Sequence, residues 1–277
     1  MSTLVNPVAT GDTRTRADFG PATFAEVVRS EWTKLRTVRS TYWCLIVAAV
    51  LGIGLGALIS ALSANHYASD PTLHFRWNPT DRSLVSLHIA QLAFAVLGSM
   101  VVTGEYSTGM IRTSLAAVPN RRRLLLAKSL VFGVVVLVAG EIISFVTFLV
   151  GQVLFSGKAP TATLGQHDVL RAVIGSGLFL AALALLGSAL GWLLRSVAAA
   201  IGVGVAILLV LPGIANALPN SWNQPIQEYW PTNAGQQVAT VVRDSHTLAA
   251  WPGFALMVGF VLVVFVAATY LLEQRDA

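Results

Sequence analysis

The chain has little charge for its length. Only 11% of its 277 residues are Asp, Glu, Lys or Arg, whereas 55% are hydrophobic and the mean hydropathy is +0.69. Soluble domains carry about 25% charged residues, so this composition excludes a water-soluble globule and indicates a lipid bilayer as the solvent. The formal charge of +5 is modest, and the basic residues flank apolar runs instead of forming a basic face with stacking aromatics. We therefore expect no binding of nucleic acid.

Cysteine and catalytic motifs are scarce too. The single cysteine, Cys44, excludes a disulfide within the chain. The sequence contains no HExxH, CxxC or GxSxG pattern, and none of its five histidines pairs at metal-ligand spacing. The segment GQVLFSGKA is similar to a phosphate-binding loop, but its glycine spacing is too long and Ala159 stands where Ser or Thr would hold magnesium. We expect no enzyme activity and no cofactor bound by this chain.

Long apolar runs, by contrast, are abundant, and six of them reach the ~20 residues that a helix needs to cross a bilayer. We predict an all-α membrane protein with spans one to six at Tyr42–Leu62, Leu84–Val102, Leu130–Phe155, Val169–Leu194, Val197–Ala217 and Trp251–Leu272. The predicted organisation is a tail and amphipathic helix over residues 1–41, a six-span transmembrane domain over 42–272 and a short tail over 273–277.

The distribution of Lys and Arg predicts the orientation of these spans. If the N-terminus is cytoplasmic, 13 of the 18 basic residues fall inside and 5 fall outside, a split that strongly favours this arrangement. The inside set is Arg14, Arg16, Arg29, Lys34, Arg36, Arg39, Arg112, Arg121, Arg122, Arg123, Lys128, Arg195 and Arg275, and the outside set is Arg76, Arg82, Lys158, Arg171 and Arg243. We therefore expect a multi-pass protein of the plasma membrane with both termini in the cytoplasm.

The segment before span one predicts an amphipathic helix that lies in the plane of the membrane. Thr23 and Glu26 have the spacing of a capping box. Apolar residues, Trp32 among them, then recur on one helical side, and the basic residues lie largely elsewhere: Lys34, Arg36 and Arg39. A simple basic anchor that fixes the topology would give a similar pattern.

Few polar residues lie inside the spans. Glu141 is about 20 Å along span three from Lys128, at 1.5 Å per residue, and therefore near mid-membrane. A carboxylate there costs about 2.5–3.5 kcal/mol on insertion scales, so it should face protein or water. Together with Gln152 on the same span, and His88 and Gln91 on span two, Glu141 is a candidate for a translocation path. Interhelical hydrogen bonding would explain the same residues.

Two glycine pairs indicate close helix packing. Gly52 with Gly56, and Gly187 with Gly191, have GxxxG spacing. Such pairs suit a contact within one chain or between two copies of it, and the sequence leaves both open.

The polar stretch GEYSTGMIRTSLAAVPNRRR separates spans two and three. Within it, Ile111, Leu115 and Val118 have helical spacing. A helix of about ten residues is marginal in water, so it needs a surface on which to dock. The membrane interface and a protein partner are the two candidates.

The same stretch carries a family resemblance. The pattern resembles the membrane subunits of ATP-binding-cassette type-2 transporters. It consists of Glu105, three intervening residues, Gly109, a short helix, Pro119, the basic cluster Arg121–Arg123 and Lys128 at the start of the next span. SEWTKLRTVRSTYW and LLRSVAAAIG are similar to the approach to span one and to the turn between spans four and five in actinobacterial permeases of this class. The resemblance covers nearly the whole chain and does not indicate the cargo.

The resemblance implies the permease subunit of an ATP-driven exporter. Its partners would be a second permease subunit, identical or similar, and two copies of a separate ATPase subunit that binds ATP and magnesium. The short helix would be the coupling helix, with Glu105 at its start and Gly109 permitting its turn. Ile111 and Leu115 would fill an apolar groove on the ATPase, and Arg112 would contact the acidic rim of that groove.

Two other classes of function stay open on the sequence alone. An ion-coupled secondary transporter would show paired midplane charges and an internal repeat, whereas the spans carry the single midplane charge of Glu141. A non-transporting immunity or signalling subunit of the same fold would give the same sequence pattern. Substrate movement in vesicles that contain a partner ATPase would separate this last class from an exporter.

Overall fold

The computed structural model describes residues 23–69, 74, 77–244 and 246–274. In this part of the chain every regular element is helical, and six helices are long and apolar enough to cross a membrane. They are Arg39–Tyr67, Leu87–Ser107, Arg121–Phe155, Val169–Leu194, Val197–Ala215 and Ala250–Gln274. The predicted all-α, six-span fold is confirmed, although the helix of span three begins earlier than predicted, at Arg121. Residues 1–22 of the predicted N-terminal segment and residues 275–277 of the predicted C-terminal tail lie outside the described residues, and so do four of the basic residues that predict the orientation: Arg14, Arg16, Arg76 and Arg275.

The helices are numbered along the chain. They are α1 Phe24–Thr37, α2 Arg39–Ala49, α3 Leu55–Ser69, α4 Pro79–Leu84, α5 Leu87–Ser107, α6 Met110–Ala117, α7 Arg121–Phe155, α8 Val169–Leu194, α9 Val197–Val205, α10 Leu211–Ala215, α11 Asn220–Tyr229, α12 Pro231–Gln236 and α13 Ala250–Gln274. A π-helical turn at Val50–Gly54 joins α2 and α3 into span one, and another at Ala206–Val210 joins α9 and α10 into span five. Spans two, three, four and six are α5, α7, α8 and α13.

Span four is the centre of the bundle. It packs against spans two, three and six, and 72% of its most apolar stretch is buried, compared with 22% in spans one, five and six. Those three spans expose large apolar side chains such as Trp43, Val210 and Val266. A bilayer solvates such side chains, so this exposure is the one expected of membrane-spanning helices.

Glycines permit the closest helix contacts. A methyl carbon at Gly98 of span two would overlap the backbone carbonyl oxygen of Ala184, and one at Gly187 of span four would overlap that of Ala95. Gly52 of span one similarly leaves room for the side chain of Ile143 in span three. In a bilayer, such close approach of backbones is a main source of helix association. Both predicted glycine pairs therefore make their contacts within one chain.

The N-terminal helix α1 begins at the predicted capping box. The backbone N–H of Glu26 donates to Thr23 Oγ1 at 3.4 Å, and the backbone N–H of Thr23 donates to Glu26 Oε2 at 2.8 Å. The helix ends at Thr37, and the extended backbone of Val38 then turns the chain into span one. Its buried residues recur every four positions and face span three: Val27, Glu31 and Leu35.

Candidate coupling site

The short helix predicted between spans two and three is α6. It follows Gly109, whose φ of 72° and ψ of 0° place it in the left-handed region that glycine adopts without steric cost. Only Ile111 and Ser114 of its eight residues are buried. The exposed side of α6 carries a different set of side chains: Met110, Arg112, Thr113, Ala116 and Ala117.

The side chain of Ile111 is buried against other helices of the same chain. It is 3% exposed and belongs to an apolar cluster with Val27 of α1, Trp192 of span four and Leu272 of span six. Leu115 is half-buried against the same cluster. These two side chains hold α6 on its own bundle. In this conformation the buried Ile111 is not available to fill a groove on another protein, whereas a contact of Leu115 with the ATPase stays a prediction.

Beside α6, four charged side chains from three elements form one cluster. Glu31 and Lys34 belong to α1, Glu105 to the end of span two and Lys128 to span three. Lys128 Nζ donates to Glu31 Oε2 at 2.5 Å and to Glu105 Oε1 at 2.7 Å. Lys34 Nζ donates to Glu31 Oε1 at 2.6 Å and to Glu105 Oε1 at 3.4 Å. We refer to Glu31, Lys34, Glu105 and Lys128 as the four-charge cluster.

The four-charge cluster is almost fully withdrawn from solvent. The side chains of Glu31 and Lys128 are 1% and 4% exposed, that of Glu105 is 10% exposed and that of Lys34 is 28% exposed. Buried charges are costly unless they are paired and hydrogen-bonded, and here two carboxylates balance two ammonium groups. Burial opposes the charged form of Lys34, but its hydrogen bond to Glu31 and the negative charges of Glu105 and Glu31 outweigh that effect and raise the pKa of Lys34.

A third hydrogen bond of Lys34 reaches α6. Lys34 Nζ donates to Ser114 Oγ at 2.9 Å, and Ser114 Oγ donates to the carbonyl oxygen of Met110 at 3.1 Å. The four-charge cluster therefore connects α1, α6 and the adjoining ends of spans two and three.

The sequence pattern predicts Glu105 at the start of the coupling helix and Lys34 at the membrane surface, and it predicts no role for Glu31. The signal for Glu31 is its position in α1. It occupies the middle of the stripe formed with Val27 and Leu35, which is otherwise apolar. A carboxylate in an apolar stripe requires a buried cation as its partner, and this requirement points to a lysine elsewhere in the chain.

The remaining predicted residues of α1 and its junction with span one lie away from the cluster. Trp32 is 43% exposed, and the guanidinium of Arg36 lies 5.9 Å from the centre of its ring. Arg39 is exposed at the first position of span one. Exposed aromatic and basic side chains at a helix end are suited to the polar surface of a bilayer.

The four predicted path residues do not converge on one site. Gln152 ties span three to nearby segments, because its side-chain oxygen accepts from the N–H of Ala162 at 2.7 Å and its amide donates to the carbonyl oxygen of Pro79 at 3.2 Å. His88 contacts the side chain of Gln236 and lies 3.0 Å from the carbonyl oxygen of Val85. These contacts are those of structural hydrogen bonding, and a path along Gln152 and His88 stays a prediction.

Glu141 and Gln91 occupy helix contacts within the bundle. The carboxyl group of Glu141 lies directly over Gly177 of span four, in space that a methyl group at Gly177 would take. Its Oε2 atom is buried and accepts no hydrogen bond from the described residues. Gln91 is buried on span two. The role of these two residues in a path is likewise a prediction.

The sequence of this chain matches a known protein family. Residues 27–213, from α1 into α10, match the family described as ABC-2 family transporter protein. The match covers more than half of the chain. A comparison with curated proteins found no significant match. The six apolar helices make this chain a multi-pass membrane protein, and the family match shows that the chain belongs to the ABC-2 family of transporter membrane proteins.

Proposed function

We propose that the chain is the permease subunit of an ATP-driven exporter and that α6 is the helix on which its ATPase subunit docks. Membership of the ABC-2 family supports a transport subunit that works with an ATP-binding-cassette ATPase. The observation that carries the docking assignment is the placement of α6. It is a short helix with an exposed face, and it is held at the ends of spans two and three by Ile111 and the four-charge cluster.

The face of α6 that meets the ATPase is the exposed one. It begins with Met110 and continues with Arg112, Thr113 and Ala116. Ile111 and Leu115 hold α6 in place from behind. A recess of about 240 Å³ opens beside the first turn of α6, between Met110 and the junction of α1 with span one. A side chain of the ATPase can enter this recess, while Arg112 offers a positive charge to an acidic rim.

The complete exporter contains two such permease subunits, identical or similar, and two ATPase subunits that hold ATP and magnesium. The large apolar side chains exposed on spans one, five and six suit lipid and a second permease subunit. The complex lies in the plasma membrane with both termini of the permease in the cytoplasm, because the basic residues predict that orientation. Export is the direction that the family resemblance implies.

Cysteine cross-linking tests the docking assignment. Single cysteines replace Arg112 and Thr113 in a Cys44→Ala background, and the chain is co-expressed with a candidate ATP-binding-cassette ATPase subunit from the same genome. Both residues are exposed on α6, so both variants should insert normally and cross-link to the ATPase. Lys158→Cys is the matched control, because Lys158 is also exposed but lies at the other end of span three.

The pattern of cross-linking distinguishes a wrong docking assignment from a wrong function. Cross-linking at Arg112→Cys and Thr113→Cys, but not at Lys158→Cys, supports α6 as the docking helix. If the ATPase assembles with the chain and neither α6 cysteine reacts with it, the docking assignment is wrong. If no ATPase assembles with the intact chain, the proposed function itself is wrong.

A further inference from the structure

Lys34 is the residue through which α1 and α6 are joined by a polar contact. Its ammonium group donates to Glu31 within α1, to Glu105 at the end of span two and to Ser114 on α6. Three different elements therefore meet at one nitrogen atom. An ammonium group has three N–H donors, so these contacts use its full hydrogen-bonding capacity.

The rest of α6 is weakly attached. Of its eight residues only Ile111 and Ser114 are buried, and an isolated helix of this length is unstable in water. Its position therefore depends on two kinds of contact, the apolar contact of Ile111 and Leu115 with the bundle and the polar contact of Ser114 with Lys34. The apolar contact is non-directional, whereas a hydrogen bond to an ammonium group fixes both a distance and an angle.

Two carboxylates connect Lys34 to Lys128 of span three. Glu31 and Glu105 each accept from Lys34, and each also accepts from Lys128. Separating any of these pairs would leave a buried charge without its partner, which is strongly unfavourable. The four side chains therefore resist separation and move together when one of their helices moves.

We infer that Ser114 and Lys34 are positioning residues that make α1 and α6 one mechanical unit, attached through Glu31 and Glu105 to Lys128. This inference rests on the proposed function where it concerns the ATPase. Motion of α6 is passed to α1 and span three as well as to span two. The amphipathic helix α1 is then a second lever of the transporter in addition to its role at the membrane surface.

The mechanical unit can be tested without an ATPase. Spin labels on cysteines at Thr33 of α1 and Ala116 of α6, both exposed, report the distance between these helices in the full chain. Ser114→Ala should broaden the distribution of that distance, and Ser114→Thr should restore the wild-type distribution because it retains the hydroxyl. Thr113→Ala is the matched control, since the Thr113 hydroxyl is exposed and bonds only within its own turn, to the carbonyl oxygen of Met110 at 2.8 Å.

The consequence for coupling is measured in the complex with the ATPase. Stimulation of ATP hydrolysis by the permease should fall by roughly tenfold in Ser114→Ala, the factor that corresponds to losing one hydrogen bond to a charged group. Ser114→Thr and Thr113→Ala should hydrolyse ATP as the wild type does, and all variants should still cross-link through Arg112→Cys.

Two results would overturn the inference while leaving the docking of α6 intact. One is an unchanged α1–α6 distance distribution in Ser114→Ala. The other is wild-type stimulation of ATP hydrolysis by Ser114→Ala in a complex that cross-links normally. Failure of the wild-type chain to bind any ATPase contradicts the proposed function instead, and the distance measurement on the isolated chain still decides whether α1 and α6 form one unit.

Discussion

Glu31 binds two lysines at once, one with each carboxylate oxygen. Its side chain is 1% exposed, so water cannot replace either partner. The pair with Lys128 is the most buried contact of the four-charge cluster. Removing one partner of a buried ion pair typically costs about 3–5 kcal/mol, because the other charge stays behind uncompensated. Glu31 is therefore the residue of this cluster whose loss should destabilise the chain most.

Glu31→Gln should lower the free energy of unfolding by about 3–5 kcal/mol, measured by denaturation in detergent. Glu26→Gln is the control, because Glu26 is exposed on the same helix and glutamine at this position also accepts the hydrogen bond of the capping box, so its effect should be much smaller. The double variant Glu31→Leu with Lys128→Met should recover much of the loss, since an apolar pair can replace a buried ion pair at little cost. Equal effects of Glu31→Gln and Glu26→Gln would show that the four-charge cluster contributes nothing to stability.

The charge of Lys34 is retained over the physiological pH range. The raised pKa of Lys34 means that its stabilising contribution is fully present below the ordinary lysine value of 10.5 and is lost only as pH rises through the higher pKa of the folded chain. The hydrogen bonds that Lys34 donates to Glu31, Glu105 and Ser114 are therefore kept at neutral pH, which agrees with the mechanical role that we propose for Lys34.

At the scale of elements, α6 shows what helical periodicity can and cannot predict. The spacing of Ile111, Leu115 and Val118 correctly indicated a short helix with one apolar side. Periodicity identifies the side that must be buried, but it does not tell which protein buries it. Because the rest of the bundle supplies the apolar cluster around Trp192, Ile111 docks on its own chain. In the docking that we propose, the side of α6 that faces the ATPase is therefore the exposed side, which carries Arg112 and Thr113.

The crossing of spans two and four is held by glycine and has a direct test. Gly98→Ala and Gly187→Ala would each place a methyl group into the backbone of the opposite helix. Backbone atoms cannot rotate away from the added methyl group as a side chain can, so spans two and four must move apart. Overpacking of this kind costs about 1–3 kcal/mol or more. Both variants should therefore show a lower midpoint of thermal unfolding in detergent.

Gly202→Ala is the control for this crossing. Nothing lies within 4 Å of a methyl carbon at Gly202, and alanine in a helix is favoured over glycine by about 0.8–1 kcal/mol. Gly202→Ala should leave the unfolding midpoint unchanged or raise it. Unfolding midpoints for Gly98→Ala and Gly187→Ala as high as that of Gly202→Ala would contradict the close crossing.

At the scale of the whole molecule, the six spans could be predicted because length and composition alone define a transmembrane helix. The arrangement of the spans could not be predicted in the same way. In a bilayer, lipid tails are as apolar as a protein interior, so an apolar side chain does not reveal whether it faces lipid or another helix. Span four, at the centre, and span five, at the edge, have similarly apolar sequences, with mean hydropathies of 2.2 and 2.6. The four-charge cluster escaped prediction because its members lie as much as 97 residues apart in the chain.

The orientation of the whole bundle can be decided by labelling single cysteines in intact cells. In a Cys44→Ala background, cysteines replace Ser107 at the α6 end of span two, Ser156 at the far end of span three and Ser221 in α11, all exposed positions. Each span reverses the direction of the chain, so Ser107 lies on the opposite side of the membrane from Ser156 and Ser221. The distribution of Lys and Arg predicts that the α6 end is cytoplasmic. An impermeant thiol reagent should therefore label Ser156→Cys and Ser221→Cys in intact cells. Ser107→Cys should react only after permeabilisation. Labelling of Ser107→Cys from outside would place α6 where no ATPase could reach it, and would contradict both the orientation and the coupling function derived from it.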